Sequence, residues 1–367
     1  MKPDLKLSII LPTYNERDNI SPIVAKLSGL AHHYRLEVIF VDDDSADGTA
    51  DEILRLSRRH DFIRLVRRVG RFGLSSAIKE GLLNATGDLV VVMDSDGQHE
   101  PAAVQELLAQ LRSTGSDLVI GSRFHADAAI LGLSQQRQRN SNLANRVARY
   151  SLPGYRRLTD YMSGFFGLVP ERCLPWVRQV DVNGFKFLYE LLAISHGQLK
   201  VSEIPLSFQP RTSGESKLNL AVVWDLGLSI LHTLVGRLLP RRAISFALVG
   251  GSGVLLHLVL YGLARRLFGF SFEAAQALAV VATASSNYLI NNSLTFRAQQ
   301  LKGPKLVGGL VRFLVVTSLG MVANIGVSSA FLHRVSHQTL LAVLAGIAVD
   351  FVWKYAASSR FVWNTPS

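Results

Sequence analysis

Two aspartates separated by one residue, Asp94 and Asp96, close the apolar run Leu89-Val-Val-Val-Met93 and are followed by Gly97, Gln98 and His99. Carboxylates at i and i+2 just past a strand's end converge on one hard cation. Mg2+ or Mn2+ prefers oxygen ligands and bridges them to phosphates, so Asp94, Asp96 and the amide oxygen of Gln98 form the candidate metal set. An acidic turn capping the next helix would account for Asp96 alone. A second acidic run, Asp42-Asp-Asp-Ser45, ends Leu36-Glu-Val-Ile-Phe-Val41. Acidic groups at strand ends accept hydrogen bonds from a nucleobase or ribose. Asp42 and Asp43 are the ligand candidates here, whereas Asp44 and Ser45 suit helix capping. Arg123, Arg137 and Arg211 fall in loops after the strands, and the guanidinium fork matches phosphate oxygens. There is no Walker A pattern, which argues against P-loop chemistry, and no Ser-His-Asp spacing. A single cysteine, Cys173, excludes an intramolecular disulfide framework and a cysteine zinc site. It is expected to be a small buried hydrophobe.

These groups need elements to hold them. Short apolar runs at Leu7–Leu11, Leu36–Val41, Ile63–Val66, Leu89–Met93 and Leu118–Ile120 read as strands. Helical stretches at Ile20–Leu30, Thr49–His60, Ser75–Ala85 and Pro101–Thr114 lie between them. That alternation predicts an α/β fold with a parallel sheet, in which ligands bind beyond the carboxyl ends of the strands. Those ends carry Pro-Thr-Tyr-Asn-Glu, Asp-Asp-Asp-Ser, Asp-Ser-Asp and Gly-Ser-Arg, so the polar residues fall where such a sheet puts chemistry.

The 367 residues divide by composition. Hydrophobic residues make up 48% and charged residues 18%, below the roughly 25% of soluble domains. The deficit is local: from Ala243 to Ser367 there are two acids, Glu273 and Asp350, against nine Lys and Arg, so most of the +11 net charge sits on the apolar third. This pattern excludes a nucleic-acid footprint and points to a membrane protein. Apolar stretches at Ala243–Ala264, Phe272–Leu294, Gly308–Leu332 and Thr339–Ala357 predict four spans. The basic residues of the connecting segments favour both termini in the cytoplasm, and Met1–Leu7 lacks the apolar core of a signal peptide. Asp225, Ser229 and His232 recur at helical spacing, so 216–242 is expected to be an amphipathic helix at the membrane surface. The membrane part also repeats: Ile244-Ser-Phe-Ala-Leu-Val-Gly250 is similar to Val311-Arg-Phe-Leu-Val-Val-Thr317, about 65 residues on, which predicts two similar helical hairpins. In this reading Val352 stands in the second repeat where the first has Asn287.

The first 215 residues resemble family-2 glycosyltransferases of the GT-A fold, and more narrowly polyprenol- or dolichol-phosphate mannose synthases. The resemblance rests on Leu11-Pro-Thr-Tyr-Asn-Glu16, Val41-Asp-Asp-Asp-Ser-Ala-Asp-Gly-Thr49, Gly73-Leu-Ser-Ser-Ala77, Met93-Asp-Ser-Asp-Gly-Gln-His99, Gly121-Ser-Arg123, Met162-Ser-Gly164 and Arg211-Thr-Ser-Gly-Glu-Ser-Lys217. Residues 243–367 are similar to the GtrA-type four-helix membrane domain through Asn287-Tyr-Leu-Ile-Asn-Asn-Ser-Leu-Thr-Phe296. The resemblance implies a metal-dependent, inverting transfer of mannose from GDP-mannose to a polyprenyl phosphate at the cytoplasmic face. It further implies that Pro12, Tyr14, Glu16 and Asp42 hold the nucleoside, and that Asp94, Asp96 and Gln98 bind the Mg2+ or Mn2+ and the donor diphosphate. Arg123, Arg137 and Ser141 would receive the lipid phosphate, and Arg211 and Lys217 would close over the donor. Gly97 departs from the family's pattern and is expected to loosen its turn.

The chemistry is self-consistent. A phosphate monoester has a second pKa of about 6, so it is anionic near neutral pH and needs no general base. The enzyme then has to supply positioning and charge neutralisation. Two further readings stand beside this one: a UDP-glucose-dependent polyprenyl-phosphate glucosyltransferase, and a glycolipid translocation or scaffold protein whose first half is a degenerate nucleotide-binding module.

Overall fold

The computed structural model describes residues 5–70, 73–97, 101–125, 144–182, 186–206, 220–335 and 338–364. The chain forms two compact units, Met1–Leu234 and Val235–Ser367.

In the first unit, strands β1 (Lys6–Thr13), β2 (Arg35–Asp42), β3 (Ile63–Arg67), β4 (Leu89–Val92), β5 (Leu118–Ser122), β6 (Phe166–Leu168) and β7 (Val201–Pro205) form one sheet of order β3-β2-β1-β4-β6-β5-β7. The five strands expected from the sequence are all present. They alternate with α1 (Arg17–Ser28), α2 (Thr49–Ser57), α3 (Leu74–Asn84) and α4 (Pro101–Thr114). Two strands were not anticipated, and one changes the sheet's character. β6 inserts between β4 and β5 antiparallel to both, so the sheet is mixed. Helix α5 covers the described residues 144–151, and α6 (Pro170–Gln179) and α7 (Phe187–Ser195) follow.

Both faces of the sheet are covered, which is why its central strands read as unbroken apolar runs rather than alternating ones. Ile9, Leu11, Val38 and Phe40 pack on one side with Ile20, Ile23, Ile53 and Leu108. Ile10, Ile39, Val41 and Val92 pack on the other with Ile78, Tyr161, Phe187 and Leu191. Successive residues of β1 thus enter opposite cores, as the pleat requires.

Helix α8 (Leu220–Leu234) lies within the expected surface segment and closes the first unit. Its Ile230 joins the sheet core, and Ser229 and His232 are buried rather than turned to water. The polar spacing therefore marks an inward stripe, not an outward one.

The second unit contains α9 (Arg241–Arg266), α10 (Phe272–Ile290), α11 (Pro304–Arg334) and α12 (Thr339–Ala357). Three helical segments among the described residues are long and apolar enough to cross a membrane: 241–266, 304–334 and 339–362. Helix α10 has the length but carries Glu273, Gln276, Thr283, Ser285, Ser286 and Asn287, which dilute its apolar character.

Both hairpins end in a π-helical turn, Asn291–Thr295 after α10 and Ser358–Val362 after α12. The turns are 67 residues apart, which sets the register of the repeat. Gly253 and Gly320 keep that spacing, and each abuts a polar side chain of its partner helix, Asn287 in the first copy and the Asp350 and Lys354 pair in the second. Lys354, not Val352, is therefore the counterpart of Asn287, in the same 67-residue register as Ile244 and Val311. Phe296 and Trp363, also counterparts, stack with ring centroids 4.1 Å apart and planes 8° apart.

Candidate functional site

The site is built at the carboxyl ends of β1, β2 and β4. β1 lies between β2 and β4, parallel to both, with Thr13 level with Asp42 and Ile10 level with Val92. A helix returns from each strand end, so three loops converge on one crevice. Loop-to-loop hydrogen bonds hold them there. Asn15 donates its N–H to Ser45 Oγ at 2.9 Å, Ala46 returns one to Asn15 Oδ1 at 3.1 Å, and Glu16 N–H meets Thr49 Oγ1 at 3.0 Å. Ser95 Oγ donates to the Pro12 carbonyl at 3.1 Å, tying the β4 loop to β1.

The resulting cavity of about 250 Å3 is lined by Pro12, Thr13, Tyr14, Glu16, Asp43, Leu74, Ala77, Asp94, Ser95, Asp96 and Lys186. Pro12, Tyr14, Glu16, Asp43, Asp94 and Asp96 were all expected from the sequence, and they meet here. Asp94 is half-buried, and Asp96 is buried. Gly164 lies against the Asp94 carboxylate so closely that a Cβ there would sit 2.7 Å from Oδ2. Gly97 adopts φ +76, a left-handed turn that glycine enters without strain.

Two aspartate oxygens donors with no nitrogen or sulfur suit Mg2+ or Mn2+ rather than zinc. Among the described residues no three His, Cys, Asp or Glu converge as a metal cage. The fit is therefore to a cation that takes its remaining oxygens from water and a bound diphosphate, as Mg2+ usually does. Gln98, the third expected ligand, lies outside the described residues, as do Arg137, Ser141, Arg211 and Lys217.

Asp42 is the exception among the acids. It is fully buried, and it does not line the cavity. Its Oδ1 accepts from Ser45 Oγ at 2.6 Å and Thr13 Oγ1 at 3.3 Å, and its Oδ2 accepts from the Ser45 N–H at 3.1 Å. It shapes the turn below the cavity, and the acid that lines the cavity is its neighbour Asp43. Asp43 accepts from the Gly73 N–H at 2.8 Å and pairs with Arg68 Nη1 at 3.0 Å. Arg68 is 5% exposed and also reaches Glu80 at 3.0 Å, so it fastens Asp43 to the start of α3. No sequence signal separated Arg68 from the other arginines.

Arg123 is gripped by Asp160. Nε reaches Oδ2 at 2.8 Å and Nη2 reaches Oδ1 at 3.1 Å, a two-pronged pair with the carboxylate fully buried. Burial disfavours the guanidinium's charge, but Asp160, with a smaller contribution from Asp94, outweighs it and raises the Arg123 pKa. Glu203 on β7 braces this pair from behind, accepting from the N–H groups of Thr159 and Asp160 at 2.9 and 3.0 Å. Burial pushes the Glu203 carboxyl up, and the nearby Asp160 adds to it, against the lowering effect of those N–H groups. Lys186, just before α7, brings a cation to the cavity wall that the sequence did not single out.

Residues 8–168 match the glycosyl transferase family 2 domain, and residues 245–363 match the GtrA/DPMS transmembrane domain. The chain is 33% identical to a dolichol-phosphate mannosyltransferase of Pyrococcus furiosus over 363 residues, covering 98% of this chain and 100% of that one. It is 34% identical to a dolichol-phosphate mannosyltransferase of Saccharomyces cerevisiae over 229 residues, covering 60% of this chain and 83% of the relative. Among solved structures it matches glucosyl-3-phosphoglycerate synthase from Mycobacterium tuberculosis at 20% identity and TM-score 0.48, over 63% of this chain and 80% of that one. With a sugar-transferase domain and a membrane domain in one polypeptide, and a relative matched along its whole length, the chain is a membrane glycosyltransferase and belongs to the dolichol-phosphate mannosyltransferase family.

Proposed function

We propose that the protein transfers a mannosyl group from GDP-mannose to a polyprenyl phosphate at the cytoplasmic membrane face, with Mg2+ or Mn2+ held by Asp94 and Asp96. The observation that carries this reading is the convergence of Asp94, Asp96 and Asp43 with Tyr14 and Glu16 in one cavity, in a chain matched end to end by a dolichol-phosphate mannosyltransferase.

The geometry supports a role for each residue. Tyr14, Glu16 and Asp43 line the part of the cavity fed by β1 and β2, where a nucleoside would hydrogen-bond. Asp94 and Asp96 face the diphosphate, and a cation bound between them would neutralise the charge that develops on the departing nucleoside diphosphate. Lys186 adds a positive charge on the same wall. Arg123, held by Asp160 and within reach of the charge of Asp94, would receive the lipid phosphate. Arg137 and Ser141 would complete that hold, and Gln98, Arg211 and Lys217 would complete the donor's. The acceptor is already an anion near neutral pH, so these residues bind, orient and neutralise rather than abstract a proton. Attack opposite the leaving group inverts the anomeric centre. In the membrane, α10 completes four spans, with both termini on the catalytic side.

The test offers labelled GDP-mannose and UDP-glucose separately to the full chain in lipid with polyprenyl phosphate. Label should enter the organic phase from GDP-mannose only, vanish with EDTA and vanish in Asp96→Asn. Label from UDP-glucose alone would retain the mechanism and replace the sugar. No transfer from either donor, with Asp96→Asn indistinguishable from wild type, would remove the enzymatic reading of this cavity.

A further inference from the structure

A second cavity, of about 240 Å3, opens among Phe124, Asn145, Arg146, Arg149 and Thr159 and shares no lining residue with the first. Arg123 and Asp160 line neither cavity, but they are the chain neighbours of Phe124 and Thr159 in the second. Arg123 feels the charge of Asp94, and its guanidinium lies 5.6 Å from the centre of the Phe124 ring. Asp160 follows Thr159 in the chain.

The second cavity is positively charged. Arg146 and Arg149 stand one turn apart on α5, both exposed. Arg149 is anchored through the Leu158 carbonyl at 3.2 Å. Arg146 has no hydrogen bond or ion pair among the described residues. Asp160 is paired with Arg123, and Glu203 accepts from the backbone N–H groups of Thr159 and Asp160. Two guanidinium groups around a small concavity, with no ion pair to a carboxylate among the described residues, suit a phosphate.

The surroundings are apolar on one side. Phe124 forms part of the wall. On α5, Asn145, Ala148 and Ser151 are buried, while Val147 and Tyr150 are 39% and 72% exposed beside the arginines. Basic residues interleaved with an aliphatic and an aromatic side chain are what a helix presents to a lipid interface.

We propose that Arg146 and Arg149 form a docking subsite for the phosphate of a prenyl-chain lipid, distinct from the donor cavity. This rests on the transfer reading above for its ligand class and adds residues and a location to it. The lipid phosphate is held here beside Arg123, with its hydrocarbon chain against Phe124, Val147 and Tyr150.

The test uses the full chain in phosphatidylcholine nanodiscs and three probes: farnesyl phosphate, farnesol and inorganic phosphate. Wild-type protein should bind farnesyl phosphate at least about tenfold more tightly than either other probe, since each contributes only half of the recognition. R146Q/R149Q should lose about tenfold or more of that affinity at unchanged melting temperature, and raise KM for the lipid acceptor more than it lowers kcat. R146K/R149K keeps the charge without the fork and should recover part of the loss. Undiminished farnesyl phosphate binding in R146Q/R149Q overturns the proposal. Inorganic phosphate binding as tightly as farnesyl phosphate also overturns it, in favour of a free-anion site. Arginine-dependent farnesyl phosphate binding with no sugar transfer by the wild type would instead sink the transfer reading and leave the subsite standing.

Discussion

Asp160 holds Arg123 through both carboxylate oxygens, and Glu203 in turn holds the backbone of Asp160, so an arginine at the end of β5 is positioned from β7. Asp160 is fully buried and Arg123 mostly so. Removing one member of such a pair typically costs about 3–5 kcal/mol because the other charge is stranded. Asp160→Asn should therefore lower the melting temperature and cut transfer to lipid phosphate, by about a hundredfold where the loss falls on the bound transition state. Steady-state kinetics beside a melting curve checks this. Full turnover in a folded Asp160→Asn protein would mean that Arg123 needs no clamp.

Gly164 tests the position of Asp94 without altering its charge. An alanine methyl would meet the Asp94 carboxylate at 2.7 and 3.1 Å, closer than carbon and oxygen rest. Asp94 must then turn. Misplacing a group by about 1 Å commonly costs about a hundredfold in rate. Gly164→Ala should bind Mn2+ more weakly and lose turnover while melting near the wild-type temperature. Wild-type Mn2+ affinity, read by electron paramagnetic resonance, would count against this placement.

Glu37 makes the first unit sensitive to acid. Burial favours its neutral form, yet hydrogen bonds from Ser8, Arg64 and Thr86 outweigh that and bring its pKa from 4.5 down to about 2. The folded state thus holds the proton more weakly than the unfolded chain. Its contribution, about 3 kcal/mol, is complete above pH 4.5 and is lost as pH falls from 4.5 towards 2. Glu37→Gln should be less stable at neutral pH and show a shallower loss across that window, measured by thermal melts at a series of pH values.

Cys173 should be inert while the protein is folded. Burial pushes its thiol up to about 12, with Asp117 adding to the shift, and Sγ donates to the Asp117 carbonyl at 3.3 Å. The thiolate is the reactive form, so maleimide at pH 7.5 should label it only as the chain unfolds. Rapid labelling under native conditions would contradict its burial.

The sequence made the acidic strand ends readable because apolar run, aspartate and glycine occur together there and mean the same thing in any parallel sheet. It did not separate Asp42 from Asp43. Which of two adjacent acids turns to the cavity depends on the register between β1 and β2, a long-range property. β6 is three residues, Phe-Gly-Leu, too short to show a period. β7 carries Ser202 and Glu203 among its five residues, which hid it as a strand, and Glu203 has a partner 44 residues away. Arg68 and Asp160 escaped notice for the same reason, since their partners Asp43 and Arg123 are distant in the chain, and Lys186 reaches the cavity wall only through the fold.

Phe296 stacks on Trp363, and in the 67-residue register each is the other's counterpart. A residue can touch its own counterpart only at the axis that relates two copies. α10 packs on α11 as α12 packs on α9, the reciprocal contacts of a two-fold. The membrane unit is therefore a dimer of one hairpin fused into a single chain. A true homodimer must make every change twice. Fusion removes that constraint, and the molecule has used the freedom: Asp350 and Lys354 stand in one half where Thr283 and Asn287 stand in the other. A symmetric scaffold has thereby become a polar, two-sided object, able to present different chemistry on its two halves.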